Sequence, residues 1–363
     1  MKIGVVGCGN ISGIYFTNLT KTFRNVTVAA CSDLIEERVQ HAAKEYGIPK
    51  ICTTPEMMAD SEIDIILNLT TPPDHFEICR QALESGKHVY VEKPLSLTRE
   101  QGKKLLELSK AKNLKIGCAP DTFLGGGIQT CIKLINDGWI GEPIGGTAFM
   151  TCRGHESWHP DPEFYYKVGA GPMFDMGPYY LTALVAALGS VRSVSAMVKT
   201  TFAERTITSE PKFGKKVDVE VPTHVAGLLE FQNGAIVNMI TTFDVWAANL
   251  PRIEIYGTQG SISIPDPNTF GGPVLVQRAN HTEWHEVPLT HIYDENSRGL
   301  GVADLADAVT NNRANRANGE LAYHVLDIMH AFHDAAKERR QLDIESSCAR
   351  PALLSTDLIK GAV

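Results

Sequence analysis

The sequence lacks the features that define several large classes of protein. Its 363 residues carry a formal net charge of −8, and no run of Lys or Arg is long enough to neutralise a row of phosphates, so nucleic acid is not an expected partner. No stretch of about 18 apolar residues occurs, and the start has no charged segment followed by a sustained apolar one. We therefore expect a cytoplasmic protein with no membrane partner.

Closely spaced cysteine pairs are also missing. The eight cysteines are scattered without any CxxC spacing, which predicts reduced thiols rather than a disulfide framework or a zinc site. Hydrophobic residues make up 43% and charged residues 21% of the chain, as in ordinary globular proteins, and the length suits two domains. We expect an enzyme-like protein without a metal.

Short apolar runs alternate with amphipathic stretches over the first 120 residues. This alternation predicts an α/β domain of the Rossmann type over residues 1–120, with a doubly wound parallel sheet and right-handed crossovers. The predicted strands are 3–6, 26–31, 63–69, 88–91 and 114–118, and the predicted helices are 11–23, 34–46, 75–85 and 98–111.

Residues 121–363 have a different pattern. A glycine- and proline-rich passage over 138–178 is followed by alternating segments and hairpin signals, which predict an α+β domain built on a large, mostly antiparallel open sheet. The predicted strands are 191–200, 223–231, 235–243, 252–256 and 261–265, and helices are predicted over 300–311 and 320–338.

A glycine-rich turn from Gly7 to Ser12 follows the first predicted strand and opens the first helix. Gly7 allows the tight turn, Gly9 allows the backbone to approach a pyrophosphate, and the helix N-terminus attracts that anion. Asp33, after the second strand, suits the ribose hydroxyls of NAD and would repel the 2′-phosphate of NADP. The alternatives are a turn that binds nothing and a helix-capping role for Asp33. The residues expected to contact NAD here are Gly7, Gly9, Asn10, Ile11 and Asp33.

Two segments follow later strands at the same edge, Asn68 to His75 (NLTTPPDH) and Val91 to Pro94 (VEKP). Together with the glycine turn they resemble the glucose-fructose oxidoreductase/inositol dehydrogenase family (Gfo/Idh/MocA). The resemblance implies that a Thr-Pro-x-x-x-His loop, here one residue shorter, and the Glu-Lys-Pro motif line the nicotinamide site. The residues it adds to the cofactor site are Thr70, Thr71, Pro72, His75, Glu92 and Lys93.

The same resemblance implies an Asp-x-Gly-x-His segment facing the lysine. Asp175 matches its aspartate, whereas Tyr179 stands at the position of its histidine. Oxidation of an alcohol needs a group that takes the hydroxyl proton, and a desolvated pocket next to a positive nicotinamide would lower the pKa of Lys93 enough for that role. We expect Lys93 to carry the proton, Asp175 to orient substrate or lysine, and Tyr179 to position the substrate. The alternatives are a solvated lysine, a helix-terminal carboxylate and a core aromatic side chain.

The segment from His155 to His159 spells HExxH, which binds zinc only on a continuous helix. Gly154 before it and Pro160 after it argue against that helix, so we predict a substrate loop instead. Trp158 could equally be a structural plug. The chain has Asp121-Thr122-Phe123 where the family often has an Arg-Phe pair, and the loss of that arginine argues against an anionic substrate contact there. The expected substrate-binding residues are Asp121, Arg153, His155, Trp158 and His159.

The sequence therefore predicts an NAD-dependent dehydrogenase that transfers a hydride between nicotinamide and a secondary hydroxyl of a sugar, glycoside or polyol such as an inositol. One alternative is an NAD-dependent glycosidase that oxidises its substrate transiently and eliminates the aglycone. Another is a non-catalytic NAD-binding regulator. The resemblance further implies a homodimer or homotetramer.

Overall fold

The computed structural model describes all residues, 1–363, and its N-terminal part is a five-stranded parallel sheet in the order β2-β1-β3-β4-β5. The strands are buried on both faces, as apolar runs of this length predict. Their bounds are β1 Lys2–Val6, β2 Thr27–Ser32, β3 Ile65–Asn68, β4 His88–Val91 and β5 Ile116–Cys118. The predicted Rossmann sheet is confirmed strand by strand.

Helices connect these strands on both sides of the sheet. Gly47 ends α2 in the left-handed conformation, with φ of 68°, as its place after the amphipathic segment predicts. One short helix, α3, was not predicted; it begins with a capping box between Thr53 and Glu56. The bounds are α1 Ser12–Lys21, α2 Glu36–Tyr46, α3 Thr54–Ala59, α4 Pro72–Glu84 and α5 Arg99–Lys112.

The C-terminal part contains a nine-stranded, mostly antiparallel sheet in the order β15-β14-β13-β12-β6-β11-β10-β7-β16. A separate two-stranded ribbon pairs β8 with β9. The bounds are β6 Pro143–Thr151, β7 Val191–Lys199, β8 Glu204–Thr206, β9 Lys216–Asp218, β10 His224–Phe231, β11 Ile236–Thr242, β12 Ile253–Gly257, β13 Gly260–Ile264, β14 Val274–Arg278, β15 His285–Val287 and β16 Leu342–Asp343.

The central strand β6 lies within the glycine- and proline-rich passage, in which no strand was predicted. Its two consecutive glycines resemble a turn signal, but each sits where a neighbouring strand comes close. A Cβ added at Gly145 would lie 2.6 Å from the Ile236 carbonyl oxygen, and one at Gly146 would lie 2.4 Å from the Glu254 carbonyl oxygen. The glycines are therefore compatible with a strand enclosed on both edges.

Five further helices complete the fold. The helix α8 is buried along its whole length, and α10 packs across β7. The bounds are α6 Gly126–Asn136, α7 Gly171–Asp175, α8 Gly177–Leu188, α9 Leu300–Thr310 and α10 Gly319–Glu338, with 3₁₀ turns at Thr122–Leu124 and Glu163–Tyr166. None of the helices combines the length and the apolar character needed to cross a bilayer. The domain boundary at residue 120 stays a prediction.

Candidate active site

Three neighbouring strands end together at the carboxyl edge of the parallel sheet. Val6 of β1 pairs with Asn68 of β3, which pairs with Val91 of β4. The glycine turn, the Thr-Thr-Pro segment and the Glu-Lys-Pro motif follow these three residues. The Tyr15 hydroxyl of α1 also donates to Glu92 Oε1 over 2.7 Å, which ties the first helix to the Glu-Lys-Pro motif. Open α/β sheets bind ligands at this edge.

The glycine turn leaves a gap above the N-terminus of α1. Gly7 has φ of 100°, and a Cβ there would lie 2.7 Å from the Leu69 carbonyl carbon, so only glycine fits against β3. At Gly9 an added Cβ would meet nothing within 4 Å. The backbone N–H groups of Asn10 and Ile11 have no partner in the protein. Free N–H groups, open space and a helix N-terminus fit a pyrophosphate.

Asp33 stands at the end of β2 and contacts this turn directly. Its Oδ2 accepts from Cys8 N over 2.6 Å, and its Oδ1 accepts from Ile35 N over 2.8 Å. The carboxylate therefore braces the glycine turn and turns the chain towards α2. A carboxylate offers about four lone-pair positions, so both oxygens can still accept from ribose hydroxyls.

His75 lies within α4, which begins at Pro72, and it is completely buried. Its Nδ1 lies 2.7 Å from the Pro94 carbonyl oxygen and its Nε2 lies 3.1 Å from the Thr70 carbonyl oxygen. The His75 ring thus links the Thr70 segment to the Glu-Lys-Pro motif. It is completely buried and presents no surface to a cofactor, in contrast to the predicted contact. Thr70 N and Oγ1 both donate to Asn68 Oδ1, whereas Thr71 is exposed and its Oγ1 donates to Asp74 Oδ2 in the first turn of α4.

Lys93 projects from the Glu-Lys-Pro motif onto the end of α7. Its Nζ donates to Asp175 Oδ1 over 2.9 Å and to the Asp175 carbonyl oxygen over 2.6 Å. Both side chains are 17% exposed. The backbone of Lys93 is fixed as well, because its N–H donates to Glu92 Oε2 over 3.0 Å. The structure therefore brings together the two residues that were predicted to form the catalytic pair.

Asp175 and Tyr179 lie in two helical segments that meet at Met176, since α7 ends at Asp175 and α8 begins at Gly177. Both still reach Lys93, whose Nζ is 5.3 Å from the centre of the Tyr179 ring. Tyr179 is only 9% exposed.

His155 completes the cluster, because its Nε2 lies 3.2 Å from Asp175 Oδ2. Asp175 thus has one oxygen towards an amine and the other towards an imidazole.

The charges in this cluster stabilise one another. Burial alone would raise the pKa of Asp175, but Lys93 and the hydrogen bond from His155 outweigh it, and the pKa falls to about 2. Burial alone would lower the pKa of Lys93, but Asp175, with Tyr179 and Glu92, holds it above the ordinary value of 10.5. The expectation of a lowered lysine pKa does not hold for the protein without cofactor.

The HExxH segment forms turns and no continuous helix, as predicted, and its glutamate anchors the loop through hydrogen bonds. The Glu156 carboxylate accepts from Arg205 Nη1 over 2.7 Å and from the Tyr166 hydroxyl. Arg205 is buried and also pairs with Asp244. No group of three or more His, Cys, Asp or Glu side chains is arranged to hold a metal.

Of the other residues predicted for the substrate loop, Trp158 is exposed, whereas Arg153 and His159 are half-buried. Trp158 is 62% exposed and its ring centre is 5.3 Å from that of His155. The His159 ring accepts from Asp161 N over 3.0 Å and contacts Tyr165 edge-on. Arg153 stacks over Trp246, with its guanidinium carbon 4.5 Å from the ring centre. The loop thus exposes an indole face next to His155.

Asp121 does not reach this site. It is 1% exposed, and its Oδ2 accepts from Gly299 N over 2.9 Å and from Gly301 N over 3.0 Å, which fixes the start of α9. Burial raises its pKa to about 6. The sequence reasoning also missed Arg298. Burial raises the pKa of Tyr179, and the charges of Lys93 and Arg298 oppose only part of that rise. No motif marks that arginine, which precedes α9 about 120 residues downstream of Tyr179.

An open parallel sheet with free backbone N–H groups and open space at its first turn, and a largely buried amine–carboxylate pair at the same edge, define an NAD-dependent oxidoreductase. Comparison with known proteins agrees. Residues 1–119 match the Gfo/Idh/MocA family described as "Oxidoreductase family, NAD-binding Rossmann fold", and residues 128–263 match the Gfo/Idh/MocA C-terminal domain. The chain belongs to the Gfo/Idh/MocA family of oxidoreductases.

Named relatives include dehydrogenases of polyols and sugars. Myo-inositol 2-dehydrogenase of Thermotoga maritima is 26% identical over 263 residues, or 72% of this chain and 74% of that protein. Levoglucosan dehydrogenase of Pseudarthrobacter phenanthrenivorans is 26% identical over 62% of each chain. A solved structure of levoglucosan dehydrogenase with NADH and L-sorbose covers 95% of this chain and 99% of its own, with a TM-score of 0.82 at 21% identity. At that identity the structural likeness establishes the fold alone.

Proposed function

We propose that this protein catalyses reversible hydride transfer between NAD and a secondary hydroxyl of a sugar, glycoside or polyol. The observation that carries the proposal is the buried pair of Lys93 and Asp175, joined at 2.9 Å, at the edge where the nucleotide turn also ends. Bound NAD supplies the hydride acceptor. Side chains of this protein must bind the alcohol and accept or return its hydroxyl proton.

Lys93 is the side chain that contacts the reacting oxygen in this proposal. As an ammonium it donates a hydrogen bond to that oxygen and stabilises the negative charge that develops when the proton leaves. Asp175 holds the amine in place and keeps it charged. Tyr179 lies against Lys93 and offers a hydroxyl that positions a second substrate oxygen. These assignments make Lys93 indispensable in both directions.

Asp33 supports NAD over NADP as the cofactor. Its carboxylate is fixed by two backbone N–H groups at the end of β2. A fixed negative charge there attracts ribose hydroxyls and repels a 2′-phosphate. The remaining cofactor contacts in the proposal come from the free N–H groups of Asn10 and Ile11, from Gly9, and from Thr70, Pro72 and Glu92 at the same edge.

The substrate class follows from the loop at 153–160. Trp158 presents an exposed indole face close to His155, and aromatic faces pack against the C–H surface of sugar rings. Arg153 stacks over Trp246, and its buried Nε and Nη1 atoms have no hydrogen-bond partner in the protein. The relatives named for myo-inositol and levoglucosan favour the same class.

The test is a panel of inositols, levoglucosan, aldoses and glycosides, offered with NAD or NADP while nicotinamide absorbance is followed. We expect turnover with NAD for at least one member and its loss in Lys93→Ala. The exposed Lys104 provides the matched control, because Lys104→Ala should retain activity. No turnover, or turnover that survives Lys93→Ala, would refute the proposal. Aglycone release without net NADH would instead indicate the transient-oxidation glycosidase.

We also propose that the protein is a homodimer or homotetramer that associates through the open face of its large sheet. Met197, Leu228 and Ile236 are 81%, 49% and 54% exposed. The pairing of β7, β10 and β11 puts them on one face, since Met197 pairs with Ala226 and Ile236 pairs with Glu230. An apolar patch on a regular sheet face suits burial against a second copy.

A further inference from the structure

The proposed hydride transfer needs a proton acceptor when the alcohol is oxidised. Lys93 is a poor one in this site because it is an ammonium with its proton donors directed at Asp175. An amine with an ordinary pKa of 10.5 is neutral in only about one molecule in a thousand at pH 7.5. Asp175 raises that pKa further. A different side chain must therefore accept the proton of the alcohol.

His155 has the geometry of a base. Its Nε2 lies 3.2 Å from Asp175 Oδ2, the oxygen that Lys93 does not use. Asp175 is ionised, and an ionised carboxylate can only accept hydrogen bonds, so Nε2 must carry the proton of this bond. In the neutral imidazole the lone pair is then on Nδ1, for which the protein provides no hydrogen-bond partner. The carboxylate thus fixes the tautomer that a proton acceptor requires.

The imidazole is held rigidly in this orientation. Its centre lies 4.0 Å from that of Tyr165 and 4.7 Å from that of Phe243, with both rings inclined to it. The next residue, Glu156, is anchored to the buried Arg205, which also donates to the Arg153 carbonyl oxygen over 3.0 Å. The backbone is therefore tied on both sides of His155, so little rotamer freedom has to be lost during the reaction.

Gly154 is required for this arrangement. It has φ of 102°, and a Cβ there would lie 2.4 Å from Glu156 Oε2 and 2.5 Å from the Tyr166 hydroxyl. The turn that points His155 at Asp175 thus depends on a glycine and on a buried ion pair. A loop that only covered the substrate would need neither.

We propose that His155 is the proton acceptor of alcohol oxidation, while Lys93 remains an ammonium that donates a hydrogen bond to the same oxygen. The O–H bond breaks with its proton going to Nδ1, and its electron pair forms the second bond of the carbonyl. The C–H electron pair leaves as hydride to NAD. This inference rests on the proposed hydride transfer and specifies which side chain takes the proton.

The charge of the site supports this division. When NAD is reduced its ring loses one positive charge, and His155 gains one as imidazolium next to Asp175. The total charge in the pocket is therefore unchanged, which keeps the electrostatic cost of the step low in a buried site. Deprotonation of Lys93 would instead leave the carboxylate of Asp175 facing an uncharged amine.

The pH dependence of the step is set by a small group of titratable side chains around the imidazole. Asp175 and Tyr165 contact the ring, and burial raises the pKa of Tyr165 to about 12, so it stays neutral. The other titratable groups near the ring lie behind Asp175 and Tyr165 or behind the loop. They are Lys93, Tyr179, Cys152, His159, Glu156 and Arg205.

The first test compares His155→Gln with the exposed His285→Gln, using the best substrate from the panel. The glutamine amide N–H stands where Nε2 stands in histidine, so it can still donate to Asp175, but the amide cannot take a proton. We expect kcat for oxidation to fall by about 10² to 10⁴ in His155→Gln, with loss of the acid limb of the pH profile. The affinity of His155→Gln for NADH and the kcat of His285→Gln should stay within about threefold of wild type. Retained kcat or a retained acid limb in His155→Gln would overturn the inference.

The second test needs no substrate. Protein with ¹⁵N-labelled histidine is saturated with NADH, and the His155 ring signals are identified by their absence in His155→Gln. We expect the neutral ring to carry its proton on Nε2 and none on Nδ1. An Nδ1–H tautomer would overturn the inference. Wild-type protein that oxidises nothing in the panel would refute the proposed function, and the ¹⁵N result would still decide the state of His155.

Discussion

Replacement of Asp175 by Asn should turn Lys93 from a permanently charged group into a titratable one. Two unit charges 2.9 Å apart attract by about 6 kcal/mol at an effective dielectric constant of about 20. With both side chains 17% exposed, solvent screens part of that attraction, and about half is a reasonable net value. About 3 kcal/mol corresponds to about two pKa units. Burial, which opposes the charge of Lys93, is then no longer balanced, so its pKa should fall below that of a free lysine.

Competitive acylation measures this change directly. Wild type and Asp175→Asn are treated with limiting acetic anhydride from pH 7 to 10, and acetylation of Lys93 is compared by mass spectrometry with that of the exposed Lys104 in the same sample. In wild type Lys93 should react far more slowly than Lys104, and in Asp175→Asn its relative reactivity should rise by about 100-fold, in proportion to the free amine. An unchanged ratio would refute the view that Asp175 holds the lysine in its charged form.

Four further predictions concern the cofactor, the loop, acid and assembly. Asp33→Ala should weaken NADH binding by about 10²- to 10⁴-fold through loss of two charge-assisted hydrogen bonds, and it should reduce the difference in affinity between NADH and NADPH in fluorescence titrations; an unchanged NADH/NADPH affinity ratio would contradict the role of Asp33. Arg205→Met leaves Glu156 and Asp244 as buried, unpaired carboxylates and should lower the unfolding free energy in urea by about 3–5 kcal/mol, most of which should return when both carboxylates are also neutralised to amides. Asp175, with a pKa of about 2 against the ordinary 3.8, should stabilise the fold by about 2 kcal/mol above pH 4, and this stabilisation should be lost as the pH falls through 2; Asp175→Asn should lack that acid-dependent part. Met197→Glu with Leu228→Glu should give a monomer by light scattering, whereas Ile51→Glu on the nucleotide-binding part should not.

The parts of the fold that follow one physical rule could be predicted from sequence. Buried parallel strands are short apolar runs, and glycine after a strand marks the nucleotide turn, so five strands and the position of Lys93 were found. The prediction failed where a residue type serves two purposes. Gly145 and Gly146 resemble a turn because glycine is common in turns, yet in β6 they allow close approach of Ile236 and Glu254 from neighbouring strands. Only the sheet pairing, which joins residues about 100 apart in the chain, separates the two cases.

The candidate active site could likewise be predicted from sequence only in part. Lys93 and Asp175 were predicted as a pair from their motifs, but the raised pKa of Lys93 depends on a distance that no motif contains. Asp121 and His75 are polar residues next to the site, and the structure buries both against backbone groups. Sequence position alone could not show which polar residues face a cleft and which hold its walls.

The loop after β6 connects catalysis to substrate choice. Glu156, the residue after His155, is anchored to Arg205, and Arg205 also pairs with Asp244 just after β11. Trp158, three residues after His155, is carried by the same anchored turn. A change that moved the indole to fit another ring would therefore also move the imidazole relative to Asp175. Substrate range in this protein should consequently vary through exposed side chains such as Trp158, whereas Gly154, Glu156 and Arg205 should tolerate little change, because they set the position of the group that we propose to take the proton.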